Sequence, residues 1–455
     1  MSNPFVATLR AAFDPTPEFT ITNDGDLPSA YKVTDLAAAT IGAAGAAISA
    51  YTGVDAPISV DQRLASLWYH WTLRPDGWPM PASWNSVAGD YQTKDGWIRL
   101  HTNAAPHRKA ALSVLNEKSG VNLGDESDKA DVAKAVAAWS AQDLESAVVA
   151  ANGCTAQMRS PEDWSKHPQG AAVAAEPLIR FETSAGGDAP NAPIDPKRPL
   201  KGIRVLDLTR VLAGPVAGRF LAGYGAEVLR IDPPWWDEPG VIPEVSLGKR
   251  CAELDLRKPE HCEILKKLMS QCDVFLNGYR ADALARLGFG PEERRAMNPG
   301  MIDVCLNAYG WIGPWKNRRG FDSLVQMSSG IADFGMTRFQ DDKPHPLPVQ
   351  ALDHATGYLM ATAAINGLNR RRKTGEATSA RLSLSRTARL LVDHGASVNT
   401  DTNVAPIAED DYTHEIEKTG WGDASRLRFP LEIAGTPVHW DYPAGPLRSS
   451  PPAFL

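Results

Sequence analysis

The feature that most constrains the fold is a strand–helix–strand signature beginning just after residue 200. Ile203–Leu208 (IRVLDL) is an unbroken run suited to a strand buried on both faces. A turn, Arg210–Pro215, leads into a helix-like segment ending near Tyr224, and Glu227–Ile231 (EVLRI) reads as the next strand. Two strands and a helix within about 30 residues make a crossover unit. The alternation continues: Pro259 opens a helix with Ile264, Leu265, Leu268 and Met269 on one face, and Val274–Leu276 and Met301–Leu306 read as further strands. Strands alternating with helices predict a parallel sheet covered on both sides, so the class is α/β.

The first third of the chain reads differently. Residues 35–51 (DLAAATIGAAGAAISAY) predict an Ala-rich helix whose Gly42 and Gly45 would let another backbone come close. Residues 84–103 predict a hairpin turning at Lys94-Asp95-Gly96, and helical spacing returns at 106–115 and 128–150. The stretch 185–200 (AGGDAPNAPIDPKRPL) has linker composition and marks the best boundary, giving domains 1–190 and 191–455. Residues 35–67 also echo 353–390: each has an Asp, a small-residue helix, a Thr-Gly turn (Thr52-Gly53, Thr374-Gly375), a short strand and an apolar helix. That shared order predicts a duplicated segment.

Composition excludes several functions. The formal charge of 47 − 54 = −7 gives no basic footprint for nucleic acid and disfavours an anionic membrane. No apolar run of about 18 residues escapes a polar or glycine break, which predicts no transmembrane span. The start, MSNPFVATLRAAFDPTPEF, has neither a basic nor an apolar leader region, and the five cysteines include no C-x-x-C pair. Both predict a cytoplasmic protein with reduced thiols and no metal framework.

Several motifs have plain readings. The turn RVLAGP sits where phosphates bind free backbone N–H groups, but it is not G-x-G-x-x-G, which makes a dinucleotide site a weak reading. Arg210, Lys249, Arg250, Arg257, Arg280 and Arg286 read as solvated surface or as contacts to a phosphorylated ligand at the sheet edge. Asp353, before an apolar helix, reads from composition as an N-cap. His101 and His107 read as ordinary polar residues, and the Trp clusters at 68–84 and 235–236 as packing.

From KGIRVLDLTRVLAGPVAGRFLAGYGAEVLRID onward the second half resembles the class III CoA-transferases (CaiB/BaiF), the group of carnitine-CoA transferase, formyl-CoA transferase and α-methylacyl-CoA racemase. GKRCAELDLRKPE, CDVFLNGYRADALARLGFGPEERRAMNP, LNAYGWIGPWKNRRGFDSLVQMSSG and VQALDHATGYLMATAAINGLNRRRKTGEA continue the likeness across about 200–390. The resemblance implies a Rossmann-like CoA-binding domain plus a smaller α+β domain, joined by long helices. AGDYQTKDGWIRLHTNAAPHRKA resembles the smaller domain, which normally comes after the segment ending near 390 but here precedes it. A circular permutation with a duplicated joining helix would give that order, with GTPVHWDYPAGPLRSSPPAFL as the closing segment.

By the resemblance, LDHATG places the catalytic aspartate at Asp353, with Leu352 where glycine is usual. It implies CoA contacts at Arg210, Val211, Leu212 and Ala213, at Leu254 and Arg257, and at Gly278, Tyr279, Arg280 and Arg286, with Arg319 as a further basic contact. The implied activity moves CoA between an acyl-CoA and a free carboxylic acid through aspartyl anhydride and thioester intermediates, with no tightly bound cofactor and no metal. Backbone donors near Gly357 would stabilise the oxyanions, and a homodimer is the implied assembly. Two alternatives stay open. One is a racemase-type isomerase, although Gly320-Phe321-Asp322 carries Phe where that group has a proton-exchanging His. The other is a non-catalytic CoA-binding relative.

Overall fold

A computed structural model describes residues 3–14, 17–119, 122–124, 126–186, 193–280, 282–397 and 403–455. Its centre is a seven-stranded sheet in the order Lys249–Glu253, Glu227–Asp232, Arg204–Leu208, Val274–Asn277, Ile302–Asn307, Glu376–Ser383, Arg180–Ala185. All neighbours are parallel except the last pair. The strand runs Val205–Leu208 and Val274–Asn277 are buried throughout, as a sheet covered on both faces requires. Chain order moves outward in one direction from Arg204–Leu208, then returns to its other side at Val274–Asn277. The reversal opens a crevice at the carboxyl ends of these two strands.

The edge strand Arg180–Ala185 corrects the predicted domain boundary at 190. Its ladder with Glu376–Ser383 makes it part of the main sheet, before the linker rather than after it. Residues from the N-terminal helix Pro4–Ala12 onward share the main core as well. Two small sheets weave the first 75 residues into the C-terminal tail: Thr20–Thr22 and Ile58–Asp61 with Leu431–Ile433, and Leu73–Pro75 with Gly422–Arg426 and Glu417–Thr419. The separate unit is smaller than predicted. The hairpin Gly89–Gln92/Trp97–Leu100, the strand Thr155–Gln157 and three helices close around Tyr91, Ile98, Leu115, Val136, Leu144 and Val148. Part of the predicted linker, 187–192, lies outside the described residues.

Two long helices, Val33–Thr52 and Ala351–Thr374, pack together behind the sheet. Val33–Thr52 has the length and apolarity of a membrane span, which corrects the expectation that no segment does; here it is a buried core helix. Gly42 and Gly45 receive side chains rather than a backbone, since a Cβ on either would meet the Phe19 ring at 2.2 Å or Leu431 at 2.5 Å. The close backbone approach occurs at Gly357, where a Cβ would lie 2.4 Å from the Ala213 carbonyl oxygen of the helix Ala213–Gly223.

The predicted repeat appears in the backbone. Each long helix opens on a tight turn, Val33 N–H to Tyr31 O and Ala351 N–H to Val349 O, both 2.8 Å. Each ends on a glycine of positive φ, Gly53 (70°) and Gly375 (73°), whose N–H closes the last turn. A strand and a helix follow in both copies, Ile58–Asp61 with Gln62–Trp68 and Glu376–Ser383 with Leu384–Asp393.

A buried carboxylate ties these segments together. Glu244 accepts hydrogen bonds from the Thr72 N–H (3.0 Å) and hydroxyl and from Arg219, and Arg426 lies 3.5 Å away. Burial pushes its pKa up, but Arg426 and Arg219 outweigh that and leave it below the ordinary value. Thr72 belongs to the N-terminal segment, Arg219 to the first crossover helix and Arg426 to the C-terminal tail. Glu244→Ala would leave Arg219 without its carboxylate in the interior, while Arg426 keeps Glu417 at 2.6 Å, so denaturant unfolding should register a loss of about 3 kcal/mol.

Candidate active site

At the sheet crevice, the turn after Leu208 is fixed from below. Lys249 Nζ donates to Asp207 Oδ2 at 2.8 Å, both side chains being fully buried, and Asp207 Oδ1 accepts the Thr209 N–H at 3.0 Å. Two residues on, Val211 takes φ 63°, a left-handed conformation that a β-branched residue rarely adopts. Its N–H is held by the Glu238 carboxylate at 3.0 Å, and Trp236 Nε1 fixes Glu238 in turn at 2.8 Å. Backbone strain of this kind persists only where the surroundings enforce it. Arg210 donates to the Tyr279 hydroxyl at 2.8 Å and lies over the Trp236 and Tyr279 rings at 4.3 and 4.6 Å. Leu212 begins the helix Ala213–Gly223 without a side-chain cap, and Leu212 and Ala213 line the cavities at the crevice.

Three cavities run end to end from this point. The outermost, about 200 Å³, lies among Trp235, Leu254, Leu256, Arg257, Tyr279 and Leu284. Arg210, Tyr279 and Ala283 line both it and a second cavity of about 260 Å³. That second cavity is cationic, with Arg210, Arg280, Lys316, Arg318 and Arg319 on its walls. The third, also about 260 Å³, is walled largely by rings: Tyr69, Trp71, Trp84, His101 and Phe321. The second and third share Val211, Phe321 and Asp353, of which only Asp353 offers a nucleophile.

Asp353 is the third residue of Ala351–Thr374, so it is not the N-cap that composition favoured; Gln350 holds that place. The helix start is buried and its donors need a partner. Asp322 provides one, accepting the Asp353 N–H at 2.9 Å while Gln326 donates to its other oxygen. Burial raises the pKa of both carboxyls, and Asp322 adds to the rise at Asp353. Gly357 lies inside the helix, its face closed by Ala213 and Val216, and so supplies no free oxyanion donor.

The sequence model of CoA-transferase family III matches residues 200–426. Over these residues the chain belongs to CoA-transferase family III. An acyl-CoA transferase of Gibberella moniliformis is 31% identical over 307 residues, covering 63% of this chain and 53% of that protein. Mouse succinyl-CoA:glutarate CoA-transferase is 34% identical over 200 residues, 41% of this chain and 45% of its own length. A Bradyrhizobium formyl-CoA:oxalate CoA-transferase is 31% identical over 189 residues, 39% and 44%. The chain thus spans about half the length of the curated relatives it matches. Among solved structures, a CaiB/BaiF family protein from Brucella suis is 26% identical, with a TM-score of 0.39, over 50% of this chain and 65% of that one.

Within this family III segment most of the expected residues converge. Arg210, Val211, Ala213, Gly278, Tyr279, Arg280 and Arg319 line the cationic cavity with Asp353. Leu254 and Arg257 line the outermost cavity, where Arg257 pairs with Asp255 at 2.8 Å and lies over Trp235 at 3.8 Å. Leu212 faces the ring-walled cavity. Arg286 stands apart: it is paired with Asp282, its side chain is 69% exposed, and it lines none of the three. His101 is more than an ordinary polar residue. Its ring stacks on Phe321 at 3.7 Å, with an edge contact to Trp84 at 5.7 Å. His107, pushed down to about 4 by burial, lines the cationic cavity. Trp71, Trp84 and Trp236 are cavity walls rather than packing alone.

The raised Asp353 carboxyl carries a signed consequence. Above the ordinary carboxylate value near 3.9, the unfolded chain has released a proton that the folded state still holds, so stability falls as pH rises toward the folded value. Asp353→Asn removes that cost. By differential scanning calorimetry it should melt above the parent at pH 7, with the gap closing as the pH is lowered to about 4.

Proposed function

We propose that this chain is an enzyme that transfers CoA between an acyl-CoA and a free carboxylic acid, with Asp353 as nucleophile. One observation carries the reading: Asp353 sits where a cationic cavity suited to phosphates meets a ring-walled cavity suited to an acyl group. The outermost cavity would take the adenine beside Tyr279, with Arg257 at its rim. The second would take the diphosphate and pantetheine arm.

In this reading the Asp353 carboxylate attacks the thioester carbonyl and expels CoA thiolate, leaving a mixed anhydride. The thiolate, held in the cationic cavity, attacks the aspartyl carbonyl and releases the donor acid, giving an aspartyl thioester. The acceptor carboxylate then attacks that thioester, and the thiolate returns to the acceptor acyl carbon, regenerating Asp353. Keeping the thiolate bound makes its return effectively intramolecular. The N–H groups at Ala213 and neighbouring positions are the donors nearest in kind to an oxyanion site, in place of Gly357.

One observation favours a second reading. The racemase-type alternative lacks a His at Phe321, yet His101, stacked on Phe321, brings an imidazole into the same cavity. Wash-in of solvent deuterium at the α-carbon of an acyl-CoA would identify that activity; CoA exchange without wash-in excludes it. A homodimer is part of the same proposal, to be read by sedimentation velocity. A cytoplasmic location belongs to the same proposal.

Incubation with a reactive acyl-CoA followed by hydroxylamine should leave a hydroxamate on Asp353, detected by peptide mass spectrometry. Asp353→Asn should lose CoA exchange while still binding CoA; full exchange in that variant would overturn the assignment. Arg210→Ala should weaken CoA binding by about 1.5–3 kcal/mol, as expected for a lost bond to a charged group, whereas Arg286→Ala should leave it unchanged in calorimetric titration.

A further inference from the structure

The two cavities that meet at Asp353 differ sharply in charge. Five cationic side chains line the second, with Asp353 as its one carboxyl among the described residues. The ring-walled cavity has three carboxyls, Glu244, Asp322 and Asp353, and no Lys or Arg among its described lining residues. The cations close to it have other partners. Arg99 lies over Trp84 but pairs with Asp90 at 2.7 Å, and Arg219 pairs with Glu244. Its three imidazoles do not supply charge either, since burial first of all lowers His70, His101 and His354 below the ordinary value.

Within the CoA-transfer reading, on which this inference rests, the geometry points to an apolar monocarboxylic acyl group, aromatic or branched, as the occupant of the ring-walled cavity. The dicarboxylic groups in the names of the mouse and Bradyrhizobium relatives would fit it poorly. A second carboxylate entering there would lose its hydration with no unpaired cation in return. An apolar group meets ring surfaces instead: the Phe321–His101 stack, the edge of Trp84, and Tyr69, which stacks on His354 at 5.0 Å. Val211, Leu212, Val241 and Val349 complete an aliphatic lining.

The test uses the unmodified full chain and CoA thioethers that cannot undergo transfer: S-phenethyl-CoA, S-(2-carboxyethyl)-CoA and CoA itself, compared by calorimetric titration. The phenethyl compound should bind roughly tenfold or more tighter than CoA, and the carboxyethyl compound no tighter than CoA. Equal affinity for the two thioethers, or preference for the carboxyethyl one, overturns the inference and leaves the CoA-transfer reading standing. Failure to bind CoA at all overturns that reading and the inference with it. A charge-restoring variant gives a second arm: Ser83, a half-buried residue on the cavity wall, changed to arginine (Ser83→Arg), should improve binding of the carboxyethyl compound roughly tenfold while weakening the phenethyl one. A folded Ser83→Arg protein with an unchanged preference would overturn the assignment of the acyl group to this cavity.

Discussion

A helix buried along its length must satisfy its first N–H groups without water, and in this protein a distant carboxylate does so. Asp322 reaches the start of Ala351–Thr374 and accepts the Asp353 N–H. That bond fixes where the helix begins and therefore where its third side chain lies. It also places two carboxyls side by side in a buried setting, which raises the pKa of both. The folding constraint and the chemistry are thus one arrangement: the group that caps the helix also sets the electrostatics of the proposed nucleophile.

The rest of the site depends on segments far apart in the chain. The cationic cavity draws on the turns after Leu208 and Asn277, at the crevice where strand order reverses, and on Lys316–Arg319. The ring-walled cavity draws on residues 69–71, on Trp84 and His101 of the small unit, and on Phe321. Glu244 both lines that cavity and holds Thr72, Arg219 and Arg426 together. A buried carboxylate with several partners enforces one arrangement of those segments, because any other leaves a charge unpaired in the interior. The N-terminal segment and the C-terminal tail are in this way locked to the helix Ala213–Gly223.

Much of this was legible in the sequence because it follows from local periodicity. The strands at 204–208, 227–232, 274–277 and 302–307 each carry two or more Val, Ile, Leu or Phe residues between turn signals, and the helix at 259–271 shows its apolar stripe openly. The hairpin turning at Asp95-Gly96 has its own turn residues. The residues carried over from the family resemblance fell together, Arg286 apart. What stayed hidden was tertiary. Nothing local marks Arg180–Ala185 as an edge strand, since most of its side chains are exposed and its one partner, Glu376–Ser383, is almost two hundred residues on. His101 could not be told from an ordinary polar residue because its ring partner, Phe321, belongs to another unit of the fold. Gly42 and Gly45 signalled close approach correctly, but not that side chains would fill the space.

The repeat shows how little of a site resides in its backbone. Asp35 and Asp353 occupy the same third position of helices that open on the same turn and close on the same left-handed glycine. Around Asp353 lie Asp322, a cationic cavity and a ring-walled one. Around Asp35 lie Asn3, whose amide donates to its backbone and side-chain oxygens, and the packed Pro4–Ala12 helix. A shared helix start, with an Asp at its third position, therefore serves as structure in one copy and, by the function proposed, as chemistry in the other. The difference lies in what the sheet brings opposite. Val274–Asn277 and Ile302–Asn307 deliver the loops that form the cationic cavity only to the Asp353 helix, while the Val33–Thr52 helix keeps its place in the core without them.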